Sequence, residues 1–240
     1  MSRDIQELVA TSDKDRYLTS LFAPQEKREH LLALYAFNIE ITRISETVSE
    51  PHIGLVRQQW WLDTIDGIYA GNTPDHPVAQ ALAKTIAFAD LPKQSFSNLI
   101  IAREFDLYDD AMPSLNDLEG YLGETSSSII QMASLILGES VPQAAGLAGV
   151  ALGLAKVLRS GRKSFLPTNM VQKLGETETI KQLVAHARKR LAEARALEIP
   201  PNALPAFLPA SLTELYLKTR EISQFRRQFT LWRAARRNRF

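Results

Sequence analysis

Glu46 and Glu50 are four residues apart, a spacing that places two carboxylates on one helix face if a helix runs through both. Such a pair suits a hard divalent cation, which takes a carboxylate or two and completes its octahedron with water and phosphate oxygens. A solvated acidic helix end is the competing reading. Arg159, Arg162 and Lys163 form a short basic cluster, suited either to an anion or to the C-terminus of a helix. Arg103 carries a guanidinium matched to phosphate oxygens, while Glu104 and Asp106 beside it offer a structural ion pair instead. His76 lies among the turn formers Pro74, Asp75 and Pro77 and reads as a turn or capping residue. No phosphate-binding glycine loop, zinc-ligand spacing or serine-nucleophile motif is present. The absence of cysteine excludes disulfides, thiolate metal sites and a cysteine nucleophile, and suits a reducing compartment.

Helices must hold these side chains. Leu34, Phe37, Ile41, Ile44 and Val48 recur at three- and four-residue steps, which predicts a long helix from about Gln25 to Ser49, stopped by Pro51. A short helix over Asp13–Phe22 precedes it. Residues 52–70 predict a third helix with Ile53, Val56, Trp60, Ile65 and Ile68 inward; Trp60 and Trp61 point about 100° apart, so one should be buried. Helices are expected at about 76–89 and 92–108. A further one at Leu115–Leu137 opens with the Ser114/Asp117 capping pattern and is closed by Gly138. Gln143–Leu158, with Gly146, Gly149 and Gly153, predicts a helix in close contact with a neighbour. Glu176–Leu197, about 211–220 and a basic C-terminal helix at about 222–240 complete an all-α reading.

At 240 residues, 45% hydrophobic and 23% charged, one globular domain spanning 1–240 is expected. The net charge of +1 gives no reason to expect nucleic acid as a partner. Arg226, Arg227, Arg233, Arg236, Arg237 and Arg239 all follow Phe225 with no acid among them; without these six, 22 basic residues face 27 acidic ones, a balance of −5. Phe225, Phe229 and Trp232 share one side of this end. That face either lies on an anionic membrane or acidic partner, or packs its rings inward. The longest apolar run, Ala144–Ala155, is short of the roughly 20 residues that span a bilayer, and MSRDIQELVATSDKD has no signal-like apolar core; a soluble protein is expected.

Ala33 to Phe37 within DRYLTSLFAPQEKREHLLALYAFN, Arg103 with Asp106, Tyr121, Leu158-Arg159, Gly161-Arg162 and Phe165-Leu166-Pro167 resemble the squalene/phytoene synthase family over about residues 13–210. The resemblance implies an isoprenoid-synthase-type helical bundle around a central cavity. In that family two acidic sets hold Mg²⁺ against a prenyl diphosphate. Here the first set is degenerate: its paired aspartates fall on Thr42 and Arg43 and its third acid on Glu46, with Glu50 as a substitute carboxylate. The second set is deleted from GLAKVLRSGRKSFLPTNM. Arg103, Arg159, Arg162 and Lys163 remain as a residual diphosphate- or anion-binding set. GETSSSIIQM replaces a segment of small apolar residues, so Ser126, Ser127 and Ser128 put hydroxyls where an apolar wall is expected.

The similarity is closer still to the mitochondrial complex I assembly factor branch and its bacterial relatives, through AFNIEITRISETVSEPHIGLVRQQWWLDTIDGIY, NTPDHPVA, ETSSSI, RKSFLP, PAFLP and a terminal LWR. That branch implies a non-catalytic protein with no catalytic residue, no metal and no cofactor. Its partners would be respiratory complex I subunits or assembly intermediates, a membrane surface met by the basic C-terminal helix, and an isoprenoid or lipid in the cavity. The implied location is cytoplasmic or peripheral on a bacterial inner membrane, or on the matrix side in a eukaryote. The alternative is head-to-head condensation of two prenyl diphosphates, with Mg²⁺ on Glu46 and Glu50 and with Arg103, Arg162 and Lys163 on the phosphates. A lipid carrier without partners is the third reading.

Overall fold

Helix follows helix in the computed structural model, which describes residues 3–108, 110–219 and 221–240; no strand occurs among them. α1 (Arg3–Ser12), which the periodicity reading passed over, buries Ile5 and Val9. Asp13 then caps α2 (Lys14–Ser20), its carboxylate accepting from the Arg16 backbone N–H at 3.2 Å and from Arg16 Nη1 at 2.8 Å. α3 (Gln25–Thr47) is buried on every side between Leu31 and Ile39. It ends two residues before the predicted Ser49, with Val48 extended at φ −112° and ψ 142°. Pro51 is the cause: its ring disfavours the helical conformation at Glu50, which sits at φ −123° and ψ 130° as the residue before α4 (Pro51–Tyr69).

α4 corrects the predicted core. Ile65 and Ile68 are buried as expected, but Ile53, Val56 and Trp60 are exposed, Val56 at 68%. The buried residues are Gly54, Gln58, Trp61, Thr64, Ile65 and Ile68. Both stripes have helical spacing, and on the buried one Gly54 lies close against Leu107, whose Cδ2 would be 2.4 Å from a Cβ at that position.

α5 (Pro77–Ala89) follows, then α6 (Lys93–Ala102), which tightens into a 3₁₀ segment at Arg103–Leu107 rather than running on to 108 as α-helix. α7 (Leu115–Leu122) starts with the expected cap. Ser114 Oγ accepts from the Asp117 N–H at 3.2 Å and donates to Asp117 Oδ2 at 2.6 Å. A single π turn over Gly123–Ser127 leads into α8 (Ser128–Ile136), and Gly138 closes it at φ +86°. The remaining helices are α9 (Pro142–Ser160), α10 (Thr168–Leu174), α11 (Glu176–Ala196), α12 (Leu204–Phe207), α13 (Thr213–Lys218) and α14 (Gln224–Arg236).

The chain divides into two compact units, Met1–Tyr108 with Met132–Ser140, and Asp109–Gln131 with Val141–Phe240. In the first, α3 packs on α1, α4 and α5, and Phe37 meets Trp61 and Phe96 edge-on at 5.4 and 5.3 Å. Rings buried this fully contribute roughly 1.5–3 kcal/mol each from the area removed from water. In the second, α9 is the central element, against α11, α13 and the π turn. Its glycines divide by role. A Cβ on Gly149 would meet the Ser127 Cα at 2.3 Å and one on Gly153 would meet Leu122 Cδ2 at 2.6 Å, whereas Gly146 faces open space.

α14 leaves the rings of the chain's basic end in solvent. It packs through Leu231 and Ala234, and Phe225, Phe229 and Trp232 are exposed rather than packed inward. No helix among the described residues is long and apolar enough to cross a membrane.

Candidate functional site

The family-like segment Ala33–Phe37 lies wholly in the core of the first unit, none of its five residues more than 2% exposed. It positions by packing and presents no chemistry. Further along α3 come Thr42, Arg43 and Glu46, with Glu50 past its end. Thr42 is half-buried and returns its hydroxyl to the Asn38 carbonyl at 2.8 Å, within its own helix. Arg43 is exposed and donates from Nη2 to Ser12 Oγ. Glu46 and Glu50 are both exposed.

The expectation that Glu46 and Glu50 share a helix face fails. α3 stops at Thr47, and Glu50 stands beyond the break in extended backbone. What this helix end offers is one hydroxyl already committed to a carbonyl, one fixed cation and two carboxylates on separate backbone segments. Magnesium needs several convergent hard oxygens, so these residues do not fit the ion. Among the described residues no group of three or more His, Cys, Asp or Glu side chains is placed to hold a metal.

The four residual cations each have a local contact. Arg103 Nη1 donates to Asp106 Oδ2 at 3.0 Å, with Asp106 only 5% exposed, so the structural ion pair is present in the first unit. The other three belong to the second unit. Arg159, in the last turn of α9, lies over the Tyr216 ring at 4.3 Å. Arg162 lies over Phe165 at 4.7 Å, and Lys163 Nζ pairs with Glu176 Oε2 at 2.9 Å, both near solvent. α9 ends with Gly161 at φ +72°, a left-handed cap.

Sequence reasoning missed a recess in the first unit. A cavity of about 380 Å³ is lined by Glu40, Arg43, Ile44, Thr47, Arg57, Trp60, Trp61 and His76. Arg57 Nη1 donates to Thr47 Oγ1 at 2.8 Å, and His76 meets both indoles edge-on at 5.4 Å. His76 is indeed the residue before a helix, α5, though its side chain makes no capping bond. The adjacent tryptophans were the one signal available for this recess; that a histidine from the next turn packs on both is a tertiary fact.

Two further features occupy the second unit. Ser127, one of the three unexpected hydroxyls, is buried in the π turn and donates to the Gly146 carbonyl at 2.8 Å. Glu119 on α7 receives Arg190 Nε at 2.7 Å and Nη2 at 3.0 Å, and lies 2.8 Å from His186 Nε2. Burial pushes the Glu119 carboxyl up, but the hydrogen bonds from Arg190 and His186 outweigh it and hold it below its usual range. This network is structural; its groups satisfy one another.

The pattern of the squalene/phytoene synthase family matches residues 9–239. The NADH dehydrogenase (ubiquinone) complex I, assembly factor 6 of Bos taurus is 35% identical over 237 residues, covering 88% of this chain and 71% of the relative. The 15-cis-phytoene synthase of Synechocystis sp. is more distant, at 26% over 172 residues, covering 64% of this chain and 50% of that protein. Among solved structures, a dehydrosqualene synthase in complex with ligand superposes with a TM-score of 0.80 at 16% identity, covering 98% of this chain and 95% of that one. The squalene synthase HpnC from Alicyclobacillus acidocaldarius gives 0.75 at 19%, covering 99% and 94%. At such identities the likeness establishes the fold, the isoprenoid-synthase helical fold expected from sequence. On the extent of the family match, the chain belongs to the squalene/phytoene synthase family.

Proposed function

We propose that this chain is a non-catalytic member of its family that acts as an accessory factor in the assembly of a respiratory NADH dehydrogenase. The observation that carries the reading is the helix end at Thr42–Glu50, whose side chains do not converge as a ligand set for Mg²⁺. Ionising an allylic diphosphate requires stabilising the charge that develops on the leaving group. A threonine bonded to its own helix and an arginine bonded to Ser12 supply no metal with which to do so. The greater similarity to an assembly factor than to a phytoene synthase supports the same reading. Prenyl-diphosphate condensation is the weaker alternative, because its substitute ligands Glu46 and Glu50 do not share a helix.

In this role the partners are complex I subunits or assembly intermediates. The protein works in the cytoplasm or peripherally at the inner membrane of a bacterium, or on the matrix side in a eukaryote. An isoprenoid or lipid held within the bundle belongs to the same reading, as a retained ligand rather than a substrate. Two measurements test it. Deleting the protein from its own cells should lower the amount of fully assembled NADH dehydrogenase, measured by native gel and NADH oxidation. Purified chain given Mg²⁺ and farnesyl or geranylgeranyl diphosphate should release no pyrophosphate. Robust turnover, or normal assembly in its absence, would sink the proposal.

A further inference from the structure

α14 carries three kinds of surface in fixed angular order. Leu231 and Ala234 pack it on the 3₁₀ segment Leu208–Leu212. On the opposite side Phe225, Phe229 and Trp232 form one exposed row, 75%, 49% and 48% accessible, each ring about 6.1 Å from the next. At 100° per residue these three positions span about 60° of the helix circumference. Arg236 lies over Trp232 at 5.3 Å, extending the row with a cation.

The third surface lies on the flank between the two. There a recess of about 330 Å³ is lined by Arg195, Arg233, Arg237 and Arg239, with Ser211 and Thr230 adding hydroxyls and Phe240 at its side. No carboxylate side chain lines it. Arg195 Nε donates to a Phe240 main-chain oxygen at 2.6 Å, and Glu214 is bonded to Arg188. Arg233, Arg237 and Arg239 line the same recess, which is large enough to admit a phosphate group. Guanidinium forks match phosphate oxygens, and a cluster of them attracts an anion.

We propose that α14 binds anionic phospholipid at a bilayer surface, with a headgroup phosphate in the arginine recess and Phe225, Phe229 and Trp232 among the outer acyl carbons. A soluble phosphate would use the recess and leave the aromatic row without a role. An acidic protein groove would accept the row but has no need of a polyarginine recess beside it. A phospholipid uses both, because its phosphate and its chains are covalently adjacent. Aromatic rings at headgroup depth flanked by arginines are the arrangement of interfacial helices. The surface deepens the accessory-factor reading by giving the site of membrane contact, yet its test needs only purified chain and vesicles. A chain that binds vesicles but does not support assembly would lose that reading and keep this one.

The experiment is co-sedimentation of the full chain with phosphatidylcholine vesicles, with and without phosphatidylglycerol. The unaltered chain should bind the anionic vesicles at least about tenfold more tightly, each arginine near the surface being worth roughly fivefold. Phe225→Ser/Phe229→Ser/Trp232→Ser, all at exposed positions, should keep the melting temperature and lose about tenfold or more on anionic vesicles. Arg233→Gln/Arg237→Gln/Arg239→Gln should lose the preference for anionic lipid. Equal binding to both vesicle types, unchanged binding by the aromatic variant, or complete displacement by inorganic phosphate would each overturn the proposal. If the arginine variant fails to fold, brominated lipids decide instead. They should quench tryptophan fluorescence in the unaltered chain and not in Trp232→Phe, and equal quenching in both would refute bilayer insertion.

Discussion

Glu119 on α7 accepts two parallel hydrogen bonds from Arg190 on α11, at 2.7 and 3.0 Å, across 71 residues of chain. Bidentate geometry of this kind ties the two helices together within the second unit and makes the pair responsive to pH.

Glu119→Gln should therefore lower stability by about 1 kcal/mol, a value discounted for the partial exposure of the pair. The folded carboxyl is held below its unfolded value of about 4.5. A depressed acid contributes stability that is present above the unfolded value and is lost as pH falls through the folded one. Thermal melts from neutral pH to about pH 3 should show the unaltered chain losing more stability below about pH 4.5 than the variant. Parallel curves would refute this role.

The alkaline side has its own marker. Burial first, and the Asp90 carboxylate second, push the Tyr69 phenol up to about 12, and its O–H donates to the Leu91 carbonyl. The neutral phenol is the form the fold prefers, so this contribution is full below about pH 10 and fades as pH rises toward 12. Tyr69→Phe should cost about 1 kcal/mol at neutral pH and remove one late-titrating phenol from the ultraviolet titration.

Glycine substitutions on α9 should split in sign. Gly149→Ala drives a Cβ into the Ser127 backbone and should cost about 1–3 kcal/mol. Gly146→Ala meets nothing within 4 Å and should gain up to about 1 kcal/mol from helix propensity. Urea unfolding of both variants checks the contrast, and equal effects would contradict the packing described.

The paired tryptophans should also differ. Trp61 is 4% exposed against Phe37, and Trp61→Ala should cost about 3–5 kcal/mol. Trp60 is 41% exposed, and Trp60→Ala should cost about 1 kcal/mol or less. The same denaturation assay reads both.

Restoring acids at the first motif should not restore chemistry. Thr42→Asp/Arg43→Asp places two carboxylates on α3, but the end of α9 runs Leu158-Arg159-Ser160-Gly161 with no acid to complete a metal site. The double variant with Mg²⁺ and farnesyl diphosphate should release no pyrophosphate above background; measurable turnover would show that one acidic set suffices.

Determined by the sequence alone were the all-α class, the cap at Ser114 and the stop before Pro51. Each depends on residues within a turn or two of one another, and local backbone sterics and hydrogen bonding act at that range. The Arg103–Asp106 pair was legible for the same reason. The tertiary structure decided what local spacing leaves degenerate. On α4 the expected stripe through Ile53, Val56 and Trp60 is exposed, and the structure buries the face that carries Gly54 and Trp61 instead. On α14 the rings had equal claim to core or solvent, and packing through Leu231 and Ala234 turned them outward. The arginine recess joins Arg195 to Arg233, Arg237 and Arg239, and Glu119 finds partners on α11. Such groupings require chain segments tens of residues apart to meet, and hydrophobic burial, which brings them together, carries no record of partner in the local sequence.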